Sequence, residues 1–297
     1  MNVTAIIVTN NRLHLLQEAV AAVKSQAYPL LEIIVVDNDS TDGTAAWLDS
    51  QDGLKVIHQE NLGGSGGFFT GIKAAVNTRA DFLWVMDDDT ICGHDSLKIL
   101  VEKLNVLDNK AGFIGSKCVW KDGNPHLMNL PAILPSFNRS IPFNLYDNKG
   151  LLLIETCSFV SLLINVKAVK EVGLPYKEFF IWGDDQEYTR RITKAGYLGL
   201  YCINSVVLHK TPINYFPDFY RDTPANIWKH SYGFRNEFFM VKRNKGFFYF
   251  ICWLFVKLIY TSVNIIRIRK SNRLQFIGVI FRSGWQAILF DPQIQNA

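Results

Sequence analysis

Residues 32–43 read EIIVVDNDSTDG: an apolar run, Glu32–Val36, that stops at a polar cluster starting with Asp37 and opens onto a helical pattern at Thr44–Asp49. A short continuous apolar run bounded by turn residues is what a strand covered on both faces requires. The same unit recurs on either side. VTAIIV at Val3–Val8 runs into Thr9-Asn10-Asn11-Arg12 and a helical pattern over Leu13–Gln26. A short strand at Leu54–His58 precedes a helix over Gly66–Asn77, reached through glycines, and FLWVM at Phe82–Met86 ends on Asp87-Asp88-Asp89. Apolar runs alternating with helical ones predict an α/β fold, a mostly parallel central sheet with helices on both faces. Ligands bind such sheets beyond the carboxyl ends of the strands, where these polar clusters fall.

The chain has 297 residues, enough for one large domain or a domain with an appendage, and a core of that size needs no disulfide staples. The five cysteines, Cys92, Cys118, Cys157, Cys202 and Cys252, have no CxxC or zinc-like spacing and read as small apolar residues in a reducing compartment. Met1–Thr9 passes straight into a strand pattern without a signal-peptide signature, so a cytosolic start is expected. The net charge of +4 names no partner, and no nucleic-acid partner is expected, but the acidic residues favour the first two-thirds and the tail is basic and aromatic. That asymmetry points to an anionic surface such as phospholipid headgroups or a lipid diphosphate.

From about 113 the pattern changes. A loop-rich stretch over 120–150 is suited to covering a substrate, a strand-like run follows over Leu151–Asn165, and Lys167–Val172 reads as helix. Gln186–Ala195 is a helix closed by Gly196, and Tyr201–His209 is a strand. The expected organisation is 1–224 as the catalytic domain, with a nucleotide-sugar half at 1–112 and an acceptor half at 113–224, and 225–297 as a helical, membrane-associating region. Phe247–Ile266 is long enough to span a bilayer, yet it has Lys257 near its centre and basic residues on both flanks. It reads as an interfacial helix, a core or dimer helix, or a span, and an aromatic tail can join two copies as readily as meet lipid.

Asp87, Asp88 and Asp89 crowd negative charge at a strand end, which a hard divalent cation would relieve; oxygen ligands suit Mg2+ or Mn2+. In an extended chain Asp87 and Asp89 share a side that Asp88 does not. His209, ending its strand, is either structural or a nitrogen ligand, which Mn2+ accepts more readily than Mg2+. Asp37 or Asp39 can accept from a nucleobase N–H or from ribose hydroxyls, or else the cluster merely caps the next helix. Thr9 and Arg12 would lie beside them, Arg12 otherwise being a surface ion-pair residue. The glycine-rich Asn61–Phe68 loop is neither GxGxxG nor a Walker loop; it approaches a phosphate or makes a tight turn. In WGDDQEY (Trp182–Tyr188) a carboxylate can take the proton of an attacking hydroxyl, Trp182 offers a face to a sugar ring, and helix capping is the compatible plain role.

AIIVTNNR, EIIVVDNDSTDGT, ENLGGSGGF, WVMDDDT and FFIWGDDQEYTRR followed by VVLHK, in this order over about residues 1–215, resemble the family 2 glycosyltransferases of GT-A fold. The later motifs are similar to the branch containing bacterial galactofuranosyl- and rhamnosyltransferases. The resemblance implies an inverting transfer from a UDP- or dTDP-sugar. Asp87, Asp89 and His209 would hold Mn2+ or Mg2+, and Thr9, Arg12, Asp37, Asp39, Asn61, Gly66 and Asp88 the nucleotide sugar. Asp185 would be the base, assisted by Asp184, with Trp182 and Glu187 on the acceptor side. Where that family often has DxD this chain has DDD, which leaves the assignment within the triplet open. UDP-galactofuranose is the expected donor, with dTDP-rhamnose the alternative. The acceptor would be a lipid-linked glycan of O-antigen, capsule or cell-wall galactan, at the cytoplasmic face of the plasma membrane. The rival readings are a nucleotidyltransferase and a membrane-associated scaffold without catalysis.

Overall fold

The computed structural model describes residues 1–105, 110–134 and 141–297. Of the loop-rich stretch expected over 120–150, residues 135–140 therefore lie outside the described residues. The chain divides into two compact units: Met1–Lys177 with Asp185–Tyr215 and Ile294–Ala297, and Glu178–Asp184 with Phe216–Gln293.

The first unit is built on one sheet. Its strands are β1 (Val3–Thr9), β2 (Glu32–Asn38), β3 (Lys55–Gln59), β4 (Phe82–Asp87), β5 (Thr90–Cys92), β6 (Ala111–Val119), β7 (Ala132–Ile133), β8 (Leu151–Thr156), β9 (Leu162–Asn165) and β10 (Leu198–His209). They lie in the order β3-β2-β1-β4-β9-β6-β10-β8-β7, and β5 also pairs with β10. β1 is parallel to β2 and β4, and β2 to β3. β9 is antiparallel to both β4 and β6, and β6 is parallel to β10. One reversed strand thus restores the direction, and the carboxyl ends of β1–β4, β6 and β10 share an edge.

Helices α1 (Leu13–Lys24), α2 (Thr44–Asp49), α3 (Gly63–Val76), α4 (Ser96–Leu104), α5 (Val166–Val172) and α6 (Asp184–Lys194) accompany the sheet. The alternation along β1 shows why both faces are covered. Val3, Ala5 and Ile7 pack with Leu16 and Val20 of α1 and Leu97 and Leu100 of α4. Ile6 and Val8 pack with Phe68 and Ile72 of α3, in a cluster that includes Tyr188 and Ile192 of α6. A two-residue period sends alternate side chains into two separate cores.

Two expectations are corrected. Helix α3 starts at Gly63 rather than Gly66, so its glycines lie inside the helix. A Cβ on Gly67 would collide with Val8 and Asn38, and one on Gly71 with Ile6, so one glycine per turn lets the helix lie close on the sheet. The run Leu151–Asn165 is two strands: β8 pairs with β10, while β9 lies between β4 and β6. The break falls at Cys157–Ser161, where Ser161 has a φ of 54°. Helix α4 and strand β6, unread in the sequence, fill 96–104 and 111–119.

The second unit contains α7 (Ile227–Lys245), α8 (Phe247–Ile268) and α9 (Arg273–Leu289). On α8, Phe250, Leu254, Thr261 and Ile265 form a buried stripe. Phe250 and Leu254 pack with Phe238 of α7 and Ile280 of α9, and Ile265 with Phe219 and Phe276. The other side of α8 exposes Phe248, Phe255, Val256, Tyr260 and Ile266, and α9 exposes Phe281 and Trp285. Lys257, the charge inside the apolar run, turns to Glu237 of α7 at 2.9 Å. Lys242 of α7 caps α9, its Nζ donating to the carbonyls of Ala287 (2.9 Å), Ile288 (3.1 Å) and Phe290 (2.6 Å).

Candidate active site

The acidic triplet sits at the turn from β4 into β5, and register decides what meets it. β10 pairs with β6 along one side, while on the other its first half pairs with β8 and its end with β5. A register shift between Cys202 and Val206 carries the strand past the end of β8. Because His209 is opposite Thr90, its imidazole arrives beside Asp89, and the Lys210 N–H donates to the Asp89 carbonyl (2.8 Å).

Ligand atoms of Asp87, Asp89 and His209 lie within 4.8 Å of one another. His209 Nε2 is 2.9 Å from Asp89 Oδ1, yet that buried oxygen receives no well-directed hydrogen bond. Two carboxylates and an imidazole converging around an unsatisfied oxygen fit a divalent cation, and the nitrogen suits Mn2+.

Asp88 points elsewhere. It accepts from Thr9 Oγ1 (2.7 Å) and from Arg12 Nη1 (3.2 Å), while Arg12 Nη1 also donates to Asp89 Oδ2 (2.7 Å). Arg12 thus straddles two buried carboxylates from a half-exposed position. Burial pushes the Asp88 carboxyl up to about 6, against the pull of Arg12. Burial also favours neutral Asp89, but His209 and Arg12 outweigh it and hold that carboxyl below its usual range. Burial opposes charge on Arg12 too, and the three aspartates reverse the balance.

β1 and β2 end together, Thr9 opposite Asp37. Asn11, at a φ of 54°, ties the two loops: its Oδ1 accepts from the Thr41 N–H (2.7 Å) and its N–H donates to Ser40 Oγ (2.9 Å). Asp37 is buried and occupied, accepting from the Ser40 N–H (3.1 Å), with His58 Nδ1 at 3.1 Å. Asp39 is exposed, with a φ of 61°. Asn61 is exposed and its Oδ1 caps the Gly63 N–H (2.9 Å), whereas Gly66 is buried in α3, so the glycines carry helix packing rather than an open loop.

On entering WGDDQEY the backbone is strained at Phe180 and Trp182, with φ of 66° and 65°, and Gly183 follows at 88°. Within the second unit Asn236 Nδ2 donates to the carbonyls of Phe179 (3.0 Å), Ile181 (3.2 Å) and Trp182 (2.8 Å), which holds that bend. Trp182 stands edge-on to His230 at 5.0 Å, and His230 Nε2 is 2.8 Å from Asp222. Asp184 is buried; Asp185 is half-buried at the start of α6, with Oδ1 accepting from the Gln186 N–H (2.6 Å). Thr189 Oγ1 donates to the Asp185 carbonyl (2.6 Å). Glu187 is clasped by Arg191 through both oxygens (3.1 and 2.7 Å), which fits a structural role better than acceptor binding.

Sequence reading missed the surroundings of His209. Asn129 Oδ1 lies 2.8 Å from His209 Nδ1, and the His126 ring lies over that of His209 at 4.4 Å. Asn129 precedes His209 by 80 positions, and no spacing signal links them.

Residues 4–173 match the model of Glycosyl transferase family 2. The chain is 28% identical over 214 residues to galactofuranosyltransferase GlfT1 of Mycolicibacterium smegmatis, covering 70% of each chain. It is similar in structure to mannosyltransferase PcManGT from Pyrobaculum calidifontis, solved with GDP-Man and Mn2+: the TM-score is 0.56 at 16% identity, over 97% of this chain and 87% of that one. Against GalNAc-T7 solved with UDP, GalNAc and Mn2+ the TM-score is 0.60 at 15% identity, over 82% of this chain and 48% of the other, so the chain spans about half of that structure.

Proposed function

The chain belongs to glycosyl transferase family 2, and on that premise we propose that it moves galactofuranose from UDP-galactofuranose, with inversion, onto a lipid-linked glycan in bacterial polysaccharide synthesis. It is a glycosyltransferase of GT-A fold. The sugar rests on the likeness to galactofuranosyltransferase GlfT1. The observation that carries the reading is the convergence of Asp87, Asp89 and His209 at the carboxyl edge of the sheet.

These three side chains would hold Mn2+ or Mg2+, which when bound supplies positive charge for the diphosphate leaving group. Arg12 spreads its guanidinium over Asp88 and Asp89 and keeps the triplet from repelling the donor's diphosphate. Thr9, Asp39 and Asn61 are the proposed nucleotide contacts. Asp37 and Gly66 support them from within, the first held by Ser40 and His58, the second by helix packing. Asp185 takes the proton of the acceptor hydroxyl as that oxygen attacks the anomeric carbon and the bond to diphosphate breaks. Its anchoring by Gln186 and Thr189 supports that role. Asp184 and Trp182 are the proposed acceptor contacts.

Membrane attachment through α8 and α9, at the cytoplasmic face, is part of the same reading. Among the described residues α8 alone is long and apolar enough to span a bilayer. Its buried stripe against α7 and α9 favours an in-plane position, since spanning would strip Phe250 and Leu254 of their partners. The tail from 225 carries eleven Lys and Arg against Glu237 and Asp291, which suits anionic headgroups.

The test is nucleotide release from a panel of UDP- and dTDP-sugars with lipid-linked acceptors, in Mn2+ and then in EDTA. Metal-dependent UDP release from UDP-galactofuranose alone is expected. Release from dTDP-rhamnose instead would correct the sugar, formation of UTP and sugar-1-phosphate on addition of pyrophosphate would indicate a nucleotidyltransferase, and no release or nucleotide binding would indicate a scaffold.

A further inference from the structure

We infer that Asn129 is a positioning residue of the metal centre: its side-chain oxygen keeps a proton on Nδ1 of His209 and thereby presents the Nε2 lone pair to the cation. The inference rests on the metal-dependent reading above and concerns a residue outside the ligand set.

Two donors approach one oxygen. His209 Nδ1 lies 2.8 Å from Asn129 Oδ1, and the Cys118 thiol donates to the same atom at 3.4 Å. The amide nitrogen faces the other way and donates to Ser158 Oγ at 2.9 Å. The amide oxygen is thus turned toward His209 and the thiol, and the NH2 toward Ser158. An oxygen there accepts only from an N–H, so Nδ1 carries the proton and Nε2 is the nitrogen left for a cation. Nε2 lies 2.9 Å from the buried, unsatisfied Asp89 Oδ1. Both atoms face one region, as ligands of a shared cation do.

His126 keeps the ring from turning away. Its ring lies over that of His209 with 37° between the planes. His126 Nε2 is 2.8 Å from Thr211 Oγ1, whose own hydrogen goes to the Ile213 carbonyl (2.9 Å), so Nε2 is the donor. Asn129 itself is buried. A metal-bound histidine whose second nitrogen is held by a protein acceptor binds more tightly than one left free to change tautomer.

The experiment is titration of the purified full chain with Mn2+, reading free Mn2+ by electron paramagnetic resonance without donor or acceptor. Asn129→Leu, which removes the acceptor, should weaken Mn2+ roughly tenfold to a hundredfold, and Asn129→Asp, which keeps it, should bind within about threefold of the original. Nitrogen-15 NMR of the metal-free histidines should show His209 as the Nδ1–H form in the parent and Asn129→Asp, and a mixture in Asn129→Leu. Simple loss of packing would not produce that tautomer change. Unchanged Mn2+ affinity in Asn129→Leu, or equal weakening in both variants, overturns the inference. If Asn129→Leu does not fold, an Nε2–H tautomer in the parent or weakened binding in Asn129→Asp overturns it. A parent chain that binds no Mn2+ sinks the metal reading itself, and is distinguished from failure of the positioning role by the parent titration alone.

Discussion

At the scale of single residues, the acidic triplet divides its labour by direction. Asp87 and Asp89 turn toward His209 and Asp88 toward Thr9 and Arg12, so substitutions should separate two effects. Asp89→Asn should abolish detectable Mn2+ binding in the same titration. Arg12→Met leaves buried carboxylates without their cation and should destabilise the fold by about 1–3 kcal/mol, read as a fall in the denaturant midpoint. Asp185→Asn should lower the transfer rate by roughly 10²–10⁴ with UDP affinity unchanged, and full activity in that variant would reject Asp185 as the base. His58 gives the pH dependence. Its Nε2 meets Asp49 at 3.0 Å and its Nδ1 Asp37 at 3.1 Å; the hydrogen bond to Asp49 raises its pKa most, with burial opposing. A raised folded pKa stabilises fully below the unfolded value of about 6.5 and stops doing so as pH climbs through the folded value. The parent should therefore lose melting temperature across that window relative to His58→Asn.

At the scale of elements, close packing and capping are the exposed weaknesses. Gly67 and Gly71 let α3 lie directly on Ile6 and Val8 of β1. Gly71→Ala should cost about 1–3 kcal/mol through overpacking, against the helix propensity that alanine would normally add. A neutral or stabilising result would show that the helix can lift without penalty. These glycines look in the sequence like a phosphate loop because one-turn spacing inside a helix and clustering in a loop are the same letters until the helix start is known. The run Leu151–Asn165 misled for a similar reason. Its strands read LLLIET and LLIN, and the residues between them, Cys157–Ser161, include the apolar Phe159 and Val160, so no turn signal marks the break.

For the whole molecule, the second unit exposes an aromatic face, the proposed membrane contact, while its stripe of Phe250, Leu254, Thr261 and Ile265 stays packed. Phe255→Glu with Trp285→Glu should leave helicity intact and abolish co-sedimentation with anionic vesicles; continued sedimentation would move the attachment elsewhere. The sequence by itself determined the sheet, its parallel first half, the polar strand ends and the family resemblance, because these depend on local periodicity and on residues adjacent in the chain. It left open whether the tail spans, because α8 is apolar on nearly every side and only packing against α7 and α9 distinguishes a buried side from a free one. It left His209 either structural or a nitrogen ligand, and only the resemblance joined it to Asp87 and Asp89. That His209 meets Asp89, and that Asn129 lies against it, follows from the pairing of β10 with β5 and from contacts between residues 80 or more positions apart. Such contacts depend on strand register, and register is decided by the packing of the folded chain rather than by any short stretch of its letters.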